Sequence, residues 1–451
     1  MFRRGAGSAG SADRIGYRTA PEDLLVGCHD LAPHRPGAIW HLSIVGRRLV
    51  DGPPMTTAEL YWDPFDTELD SAPHDTWRSM RDEQPVYRND DHDFWALSRF
   101  TDVESAHRDP GTFSSARGTV LELMGRDMSA TGQMIFMDPP DHTTLRALVS
   151  RAFTPRRVAG LERDIRQMCA DLLDPLVGQR SFDYVQDFGA QLPSLVISTL
   201  VGVPPEDREA QRHNIDQIFH IEPGMGMIND VSLTAQIALH HYLGDLVDRR
   251  RAEPRDDLIS ALCQAEITDD AGAKRGLTRG ETAAFANLLF SAGTETVGRL
   301  LGNAAVILAE FGDERAALVS QPELIGNAVE ELLRFEAPSP VQGRTTTQEV
   351  ELHDVSIPAG SKVLLLTGSA GRDERAFPDP DRFDARRDMQ HHVSFGYGIH
   401  FCVGAALARM EGRIALEETL RRFPEWDIDA AHVTRQHTST VRGYSEVRML
   451  V

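Results

Sequence analysis

The run Phe395-Gly396-Tyr397-Gly398-Ile399-His400-Phe401-Cys402-Val403-Gly404 decides the reading of this 451-residue chain. One cysteine stands inside a glycine-rich loop, and Ala405-Ala406-Leu407-Ala408-Arg409 follows with the composition of a helix start. Glycines let backbone approach something flat and bulky, because no Cβ stands in the way. A cysteine just ahead of a helix has amide N–H groups and the positive end of the helix dipole beside its sulfur, which favours the thiolate. A thiolate held in a tight loop suits a metal that needs one strongly donating ligand. The competing reading is a buried free thiol, the common fate of a lone cysteine.

Outward from that loop, the chain reads as an ordinary globular protein, with 41% hydrophobic and 25% charged residues. No stretch approaches the ~20 apolar residues that cross a bilayer. The first twenty positions are dominated by Arg, Gly and Ser and hold no signal-peptide core. A cytoplasmic protein with no membrane span is therefore expected. Cys28, Cys169, Cys263 and Cys402 are far apart and form no Cys-x-x-Cys pair, so they outline neither a disulfide framework nor a zinc site. A net charge of −21 argues against nucleic acid as a partner. It leaves room for a local basic patch facing an acidic protein.

Residues 1–54 differ from the rest, with seven arginines, no lysine and five acidic groups, against 40 basic and 63 acidic groups in 55–451. They are rich in Gly and Pro and show no period of 3.6 or 2, so a flexible extension is expected there, with translation starting at Met55 as a further possibility. In the body, Asp93 to Leu97 after Pro85-Val86-Tyr87 reads as a hairpin. Helical patterns dominate from about 141 to 335, including Arg157 to Leu176 and Asp207 to Phe219. A β-rich region spans Val350 to Thr367, turning at Ile357-Pro358-Ala359-Gly360, and His437 to Leu450 reads as terminal strand. No linker divides the body. The expected fold class is mainly α with a minor β portion, as one large domain.

Thr278 to Glu310 reads as one long helix, with Phe285, Leu288, Leu289, Ala292 and Thr296 on one face. A threonine on an apolar stripe must find a partner for its hydroxyl. Gly293 costs roughly 1 kcal/mol of helix propensity, and a local opening of the hydrogen-bond ladder there would free a carbonyl and make room for a small ligand. Glu295 adds an ionisable group.

Every specified position of Phe395 to Gly404 matches the pattern Phe-Gly-x-Gly-x-His-x-Cys-x-Gly, and the stretch resembles the haem-binding loop of the cytochrome P450 family. The resemblance covers roughly residues 60 to 451 and is closest to bacterial, soluble, actinobacterial-type members. It implies haem b as cofactor, with Cys402 as axial ligand to iron and Phe395, Gly396, Gly404, Ala292 and Gly293 among the cofactor-binding residues. Ala292-Gly293-Thr294-Glu295-Thr296 is similar to the family's oxygen-activation motif, with Glu295 where many members carry Asp. Thr296 and Glu295 are thus implied as the catalytic pair that delivers protons to bound dioxygen. Asp138-Pro139-Pro140-Asp141-His142 leads into a helix in which His142 and Arg146 share a face. With Arg344 and His400, these two resemble the family's contacts to the haem propionates. Glu331 and Arg334, which alone would read as a solvated i, i+3 pair, resemble the Glu-x-x-Arg motif, and Arg382 resembles the third member of that buried triad. His391 and His392 are read as loop-surface residues.

The function so implied is a haem-thiolate monooxygenase that inserts one atom of dioxygen into a small organic substrate. Electrons would come from NAD(P)H through a separate ferredoxin and ferredoxin reductase, since no flavin or iron–sulfur signature is present in this chain. Arg151, Arg156, Arg157, Arg409 and Arg413 are candidates for the docking patch, or equally for solvated helix faces. Leu121, Met124, Met128, Met134, Met225 and Met227 fall where the family's pocket loops lie, which favours a lipid, steroid or terpenoid, though core filling explains them nearly as well. A peroxide-driven haem-thiolate enzyme and a non-catalytic haem-binding sensor are the alternatives.

Overall fold

The computed structural model describes residues 60–128, 131–222, 226–268 and 272–451. The expected extension 1–54, the alternative start at Met55, and Cys28 and Met225 lie outside the described residues.

The architecture is set by the helix Arg279–Glu310, whose start the sequence dictates. The Thr278 hydroxyl accepts from the Glu281 backbone N–H at 3.2 Å, and the Glu281 carboxylate accepts from the Thr278 N–H at 2.8 Å. Two otherwise orphaned helix-end donors are satisfied reciprocally. Beyond its first turn the helix buries residues all round, as a helix does at the centre of a large core. Against it pack Gln191–Val201, Asp230–Ala252, the C-terminal helix Ala405–Arg422 and the strand Arg442–Leu450. The main apolar core is built on these elements.

The expected opening at Gly293 is not present, because the helix runs unbroken from Arg279 to Glu310. The glycine is needed for a different reason. A Cβ there would stand 3.1 Å from Ile197 Cδ1, so Gln191–Val201 approaches as closely as it does because position 293 has no side chain.

The β portion lies to either side. A five-stranded sheet runs in the order Val86–Asn89, Phe94–Leu97, Lys362–Leu365, Gln342–Thr346 and Phe113–Ser114. Its first two strands form the expected antiparallel hairpin, and Lys362–Leu365 joins Phe94–Leu97 in parallel. The second β-rich region is two structures: a hairpin of Val350–Leu352 with Val355–Ile357, and Lys362–Leu365 in the large sheet. The terminal strand Arg442–Leu450 pairs with Asp427–His437 and Ser181–Asp183. Asp427–His437 begins ten residues before the expected boundary. None of its residues is buried, so it carries no buried alternation to betray it.

Candidate active site

The loop before Ala405–Arg422 is built backbone first. Gly396 and Gly398 take φ of +69° and +66°, a region other residues rarely enter. At Gly398 a Cβ would also stand 2.5 Å from the His107 carbonyl oxygen, so the loop lies directly on the helix Phe100–Arg108. The Cys402 N–H donates to the Phe395 carbonyl at 2.9 Å, which closes the loop and turns the thiol toward a cavity. Burial pushes the thiol up, while the N–H groups of Gly404 and Ala405 and the guanidinium groups of Arg146 and Arg409 pull it down. Phe395 lines the same cavity, with the Arg409 guanidinium 4.6 Å from its ring centre.

One side of that cavity is a rim of nitrogen donors from three parts of the chain. His142 and Arg146 come from the helix Asp141–Ala152, Arg344 from the strand Gln342–Thr346, and His400 from the cysteine loop. Arg146, Arg344 and His400 line the cavity, and the His142 ring lies 4.3 Å from that of His400. Both ring nitrogens of His142 and Nε2 of His400 are buried with no partner among the described residues. Burial and the neighbouring cations bring His400 down to about 3, and burial brings Arg344 down to about 10 against the opposing pull of Asp138. Sequence reasoning missed His107. It is buried on Phe100–Arg108 with Nδ1 3.5 Å from Arg344 and Nε2 unpartnered among the described residues. No motif marks it, because the tertiary fold alone brings that helix to the rim. Cations crowded together with idle donors make a site for an anion with several acceptor oxygens.

The opposite wall is the central helix. Ala292, Gly293 and Thr296 face the cavity, with Leu288, Leu289 and Val297 beside them. The Thr296 hydroxyl donates to the Ala292 carbonyl at 2.9 Å. Glu295 is not among the cavity-lining residues. Its carboxylate is buried against Arg299, which also reaches Gln436 and the Tyr444 carbonyl. The structure therefore brings Thr296, but not Glu295, to the cavity wall. One residue along a helix is a rotation of about 100°.

Glu331 and Arg334 are fully buried and doubly bonded at 2.7 and 2.8 Å. The third member of their cluster is Arg387, whose Nε donates to Glu331 at 2.9 Å. Arg382 does not fill that place. Its side chain is 65% exposed, and only its backbone carbonyl meets the cluster, accepting from Arg387 at 2.8 Å. Both arginines lie in an irregular segment, where no period tells which side chain turns inward.

His392 also departs from expectation. His391 is on the surface beside Glu104, but His392 is buried and bonds Glu330 at 3.2 Å. Arg409 holds the same carboxylate at 2.6 and 2.8 Å. Burial pushes the Glu330 carboxyl up, yet His392 and Arg409 bring it down to about 2.

Of the residues expected in the pocket loops, Met134 lines the cavity. Leu121 and Met124 pack instead in a separate core cluster with Trp62 and Trp77. Met227 is buried and Met128 half-buried, and neither lines the cavity.

A mainly helical body with a small β portion, enclosing an apolar cavity floored by one cysteine, is the architecture of a haem-thiolate oxygenase. The Cytochrome P450 family model matches residues 313–440. The chain is 39% identical over 396 residues to the putative cytochrome P450 123 of Mycobacterium tuberculosis, covering 87% of this chain and 97% of that protein. It is 38% identical over 399 residues to the vitamin D(3) 25-hydroxylase of Pseudonocardia autotrophica, with the same 87% and 97% coverage. Among solved structures, the cytochrome P450 CYP109Q5 from Chondromyces apiculatus superposes with a TM-score of 0.78 at 36% identity, covering 86% of this chain and 97% of that one. The chain belongs to the cytochrome P450 family and is a haem-dependent monooxygenase. The residues present fit that cofactor: haem carries two propionates, and the rim offers buried donors that nothing among the described residues satisfies. No helix among the described residues is long and apolar enough to cross a membrane.

Proposed function

We propose that Cys402 ligates the haem iron, that His142, Arg146, Arg344 and His400 hold the propionates, and that Thr296 handles protons on the opposite wall. The substrate is a small apolar molecule of the lipid, steroid or terpenoid kind. The observation that carries this reading is that Cys402, alone among the described cysteines, lines the cavity faced by Thr296. Cys169 is buried elsewhere, and its thiol is pushed up to about 12, which makes it inert.

When bound, the haem supplies the iron chemistry that activates dioxygen. The chain supplies position and protons. The rim side chains would hold its carboxylates, and the glycine loop would offer it the Cys402 sulfur. The Thr296 hydroxyl keeps a proton inside the cavity, parked on the Ala292 carbonyl. Met134, Ile135, Ile197, Leu288, Leu289 and Val297 make a largely apolar wall, in keeping with a substrate held by burial rather than by ion pairing. A relative named for hydroxylating vitamin D(3) supports the same class.

Electrons arrive from NAD(P)H by way of ferredoxin and ferredoxin reductase in the cytoplasm. Arg151 and Arg156, exposed and with no ion pair among the described residues, support docking of an acidic donor on the cysteine side.

The test is the absorption spectrum of the ferric holoprotein titrated with steroids, secosteroids, terpenoids and fatty acids. A saturable high-spin shift with an apolar class is expected, together with loss of the thiolate signature in Cys402→Ser. A response to polar ligands alone would overturn the substrate class. Peroxide-supported turnover exceeding that with ferredoxin and reductase would overturn the electron route, and dioxygen consumption without organic product would favour the sensor.

A further inference from the structure

The largely apolar cavity has a polar stretch of wall where three chain segments are bonded to one another. The Gly343 N–H donates to the Thr119 carbonyl at 2.8 Å, and the Arg442 N–H to the Pro338 carbonyl at 2.9 Å. The Thr440 hydroxyl donates to the Val341 carbonyl at 3.2 Å, and the Ser439 hydroxyl to Glu122 Oε2 at 2.6 Å. These bonds tie together the segments that hold Thr119, Ser339 and Thr440, and each of the three lines the cavity.

The hydroxyl groups of the lining are not equivalent. Thr296 and Ser394 give their protons to the Ala292 and Leu333 carbonyls, and Thr440 gives its own to Val341. Thr119 is buried, yet neither its hydroxyl nor that of Ser339 bonds another described residue. Two idle donors thus share this stretch with a threonine oxygen that can only accept. A ligand hydroxyl both gives and takes, and so uses both kinds of site.

Among the described residues, nothing in this stretch is a counterpart for an ionised ligand end. The basic residues of the lining, Arg146, Arg344 and His400, all belong to the rim. The one carboxyl among the described lining residues is Glu411, on Ala405–Arg422. Its Oε2 is buried without a partner among those residues, and burial pushes the carboxyl well above the usual carboxylate range. An acid held neutral by burial does not draw an ammonium group.

We propose that the substrate is an apolar alcohol, whose hydroxyl is received by Thr119, Ser339 and Thr440 while its hydrocarbon body lies against Leu288, Leu289 and Val297. The inference rests on the monooxygenase reading and narrows its apolar class, leaving out fatty acids and plain hydrocarbons. A few convergent polar groups in an apolar pocket fix which way a ligand lies. The alcohol leaves water at little cost because its hydrogen bonds are remade, whereas the same skeleton without the hydroxyl strands the idle donors.

The experiment titrates the ferric holoprotein with two matched sets, one steroid and one diterpenoid, each as alcohol, methyl ether and hydrocarbon, and with a long-chain fatty acid. Dissociation constants come from the spin-state shift, which needs no turnover. In wild type the alcohol of at least one set should bind roughly tenfold more tightly than its ether. In Thr119→Val and in Ser339→Ala that preference should shrink roughly three- to tenfold, with the affinity for the hydrocarbon unchanged. An ether or hydrocarbon bound as tightly as its alcohol would overturn the proposal while leaving the apolar, monooxygenase reading in place. A fatty acid bound more tightly than either alcohol would do the same. Variants that weaken alcohol and hydrocarbon alike would also overturn it, since that marks a change of shape rather than a lost hydrogen bond. If neither set shifts the spectrum, the apolar reading of the cavity fails and the alcohol falls with it.

Discussion

At the scale of single residues, the cysteine loop depends on atoms the sequence cannot locate. Glu331 is held by Arg334 and Arg387, all three nearly or fully buried. Removing one partner of such a cluster strands a charge in the interior and costs about 3–5 kcal/mol. Arg387→Ala should therefore lower the urea midpoint markedly and reduce haem content. Arg382→Ala should stay within ~0.5 kcal/mol of wild type, as exposed substitutions usually do. Equal effects would show that Arg382, not Arg387, is the structural member. Gly398 gives a second test. Its φ of +66° and the His107 carbonyl 2.5 Å from any added Cβ leave no room for even a methyl group. Gly398→Ala should cost about 1–3 kcal/mol from the backbone conformation alone, and the protein should purify with depleted haem. Full haem occupancy in that variant would mean the loop has slack.

Between elements, Glu330 joins the helix Ile325–Phe335 to Ala405–Arg422 by accepting from Arg409 and His392 at once. Its folded value of about 2 lies below the ordinary 4.5, so the contribution to stability is complete above pH 4.5 and is lost as the pH falls toward 2. Glu330→Gln should be less stable than wild type at neutral pH, with the gap closing as the medium is acidified through that window. Chemical unfolding across pH measures it, and a gap that stays constant would mean the carboxylate is not ionised in the pair. Glu411 has the opposite sign. Its raised value makes wild type lose stability as pH rises above 4.5, a slope that Glu411→Gln should lack. The central helix adds a different kind of constraint. Its span and apolar stripe were legible in the run Thr278 to Glu310 and the Phe285-to-Thr296 face, whereas the reciprocal cap of Thr278 and Glu281 emerged in the structure. The purpose of Gly293 was not, because Ile197, which demands it, lies on another helix.

For the whole molecule, the net charge of −21 makes any basic patch a local exception. Of the five arginines expected on the cysteine side, Arg409 is committed to Glu330, Arg413 to Glu162 and Glu417, and Arg157 lies 3.5 Å from Asp256. Arg151 and Arg156 have no such partner among the described residues. Reversing both to Glu should slow reduction by an acidic ferredoxin severalfold and weaken its ionic-strength dependence, with substrate-induced spectral shifts unchanged. An unaltered reduction rate would move the docking face elsewhere.

The sequence by itself determined the chemistry that short-range order can write. Cys402 in its glycine loop, the run of the central helix, the His142–Arg146 spacing and the Glu331–Arg334 pair are all readable. In each, the partners lie within one loop or a few helical turns. The mainly helical class was equally plain, because sustained periodicity and missing linkers need no third dimension. Only the tertiary structure decided which side chains converge from distant segments. It chose Arg387 over Arg382, buried His392 against Glu330, added His107 to the rim, turned Glu295 to Arg299 and left Glu411 at the cavity wall. These outcomes depend on how helices rotate and approach one another, which packing of the entire core fixes and no local pattern records.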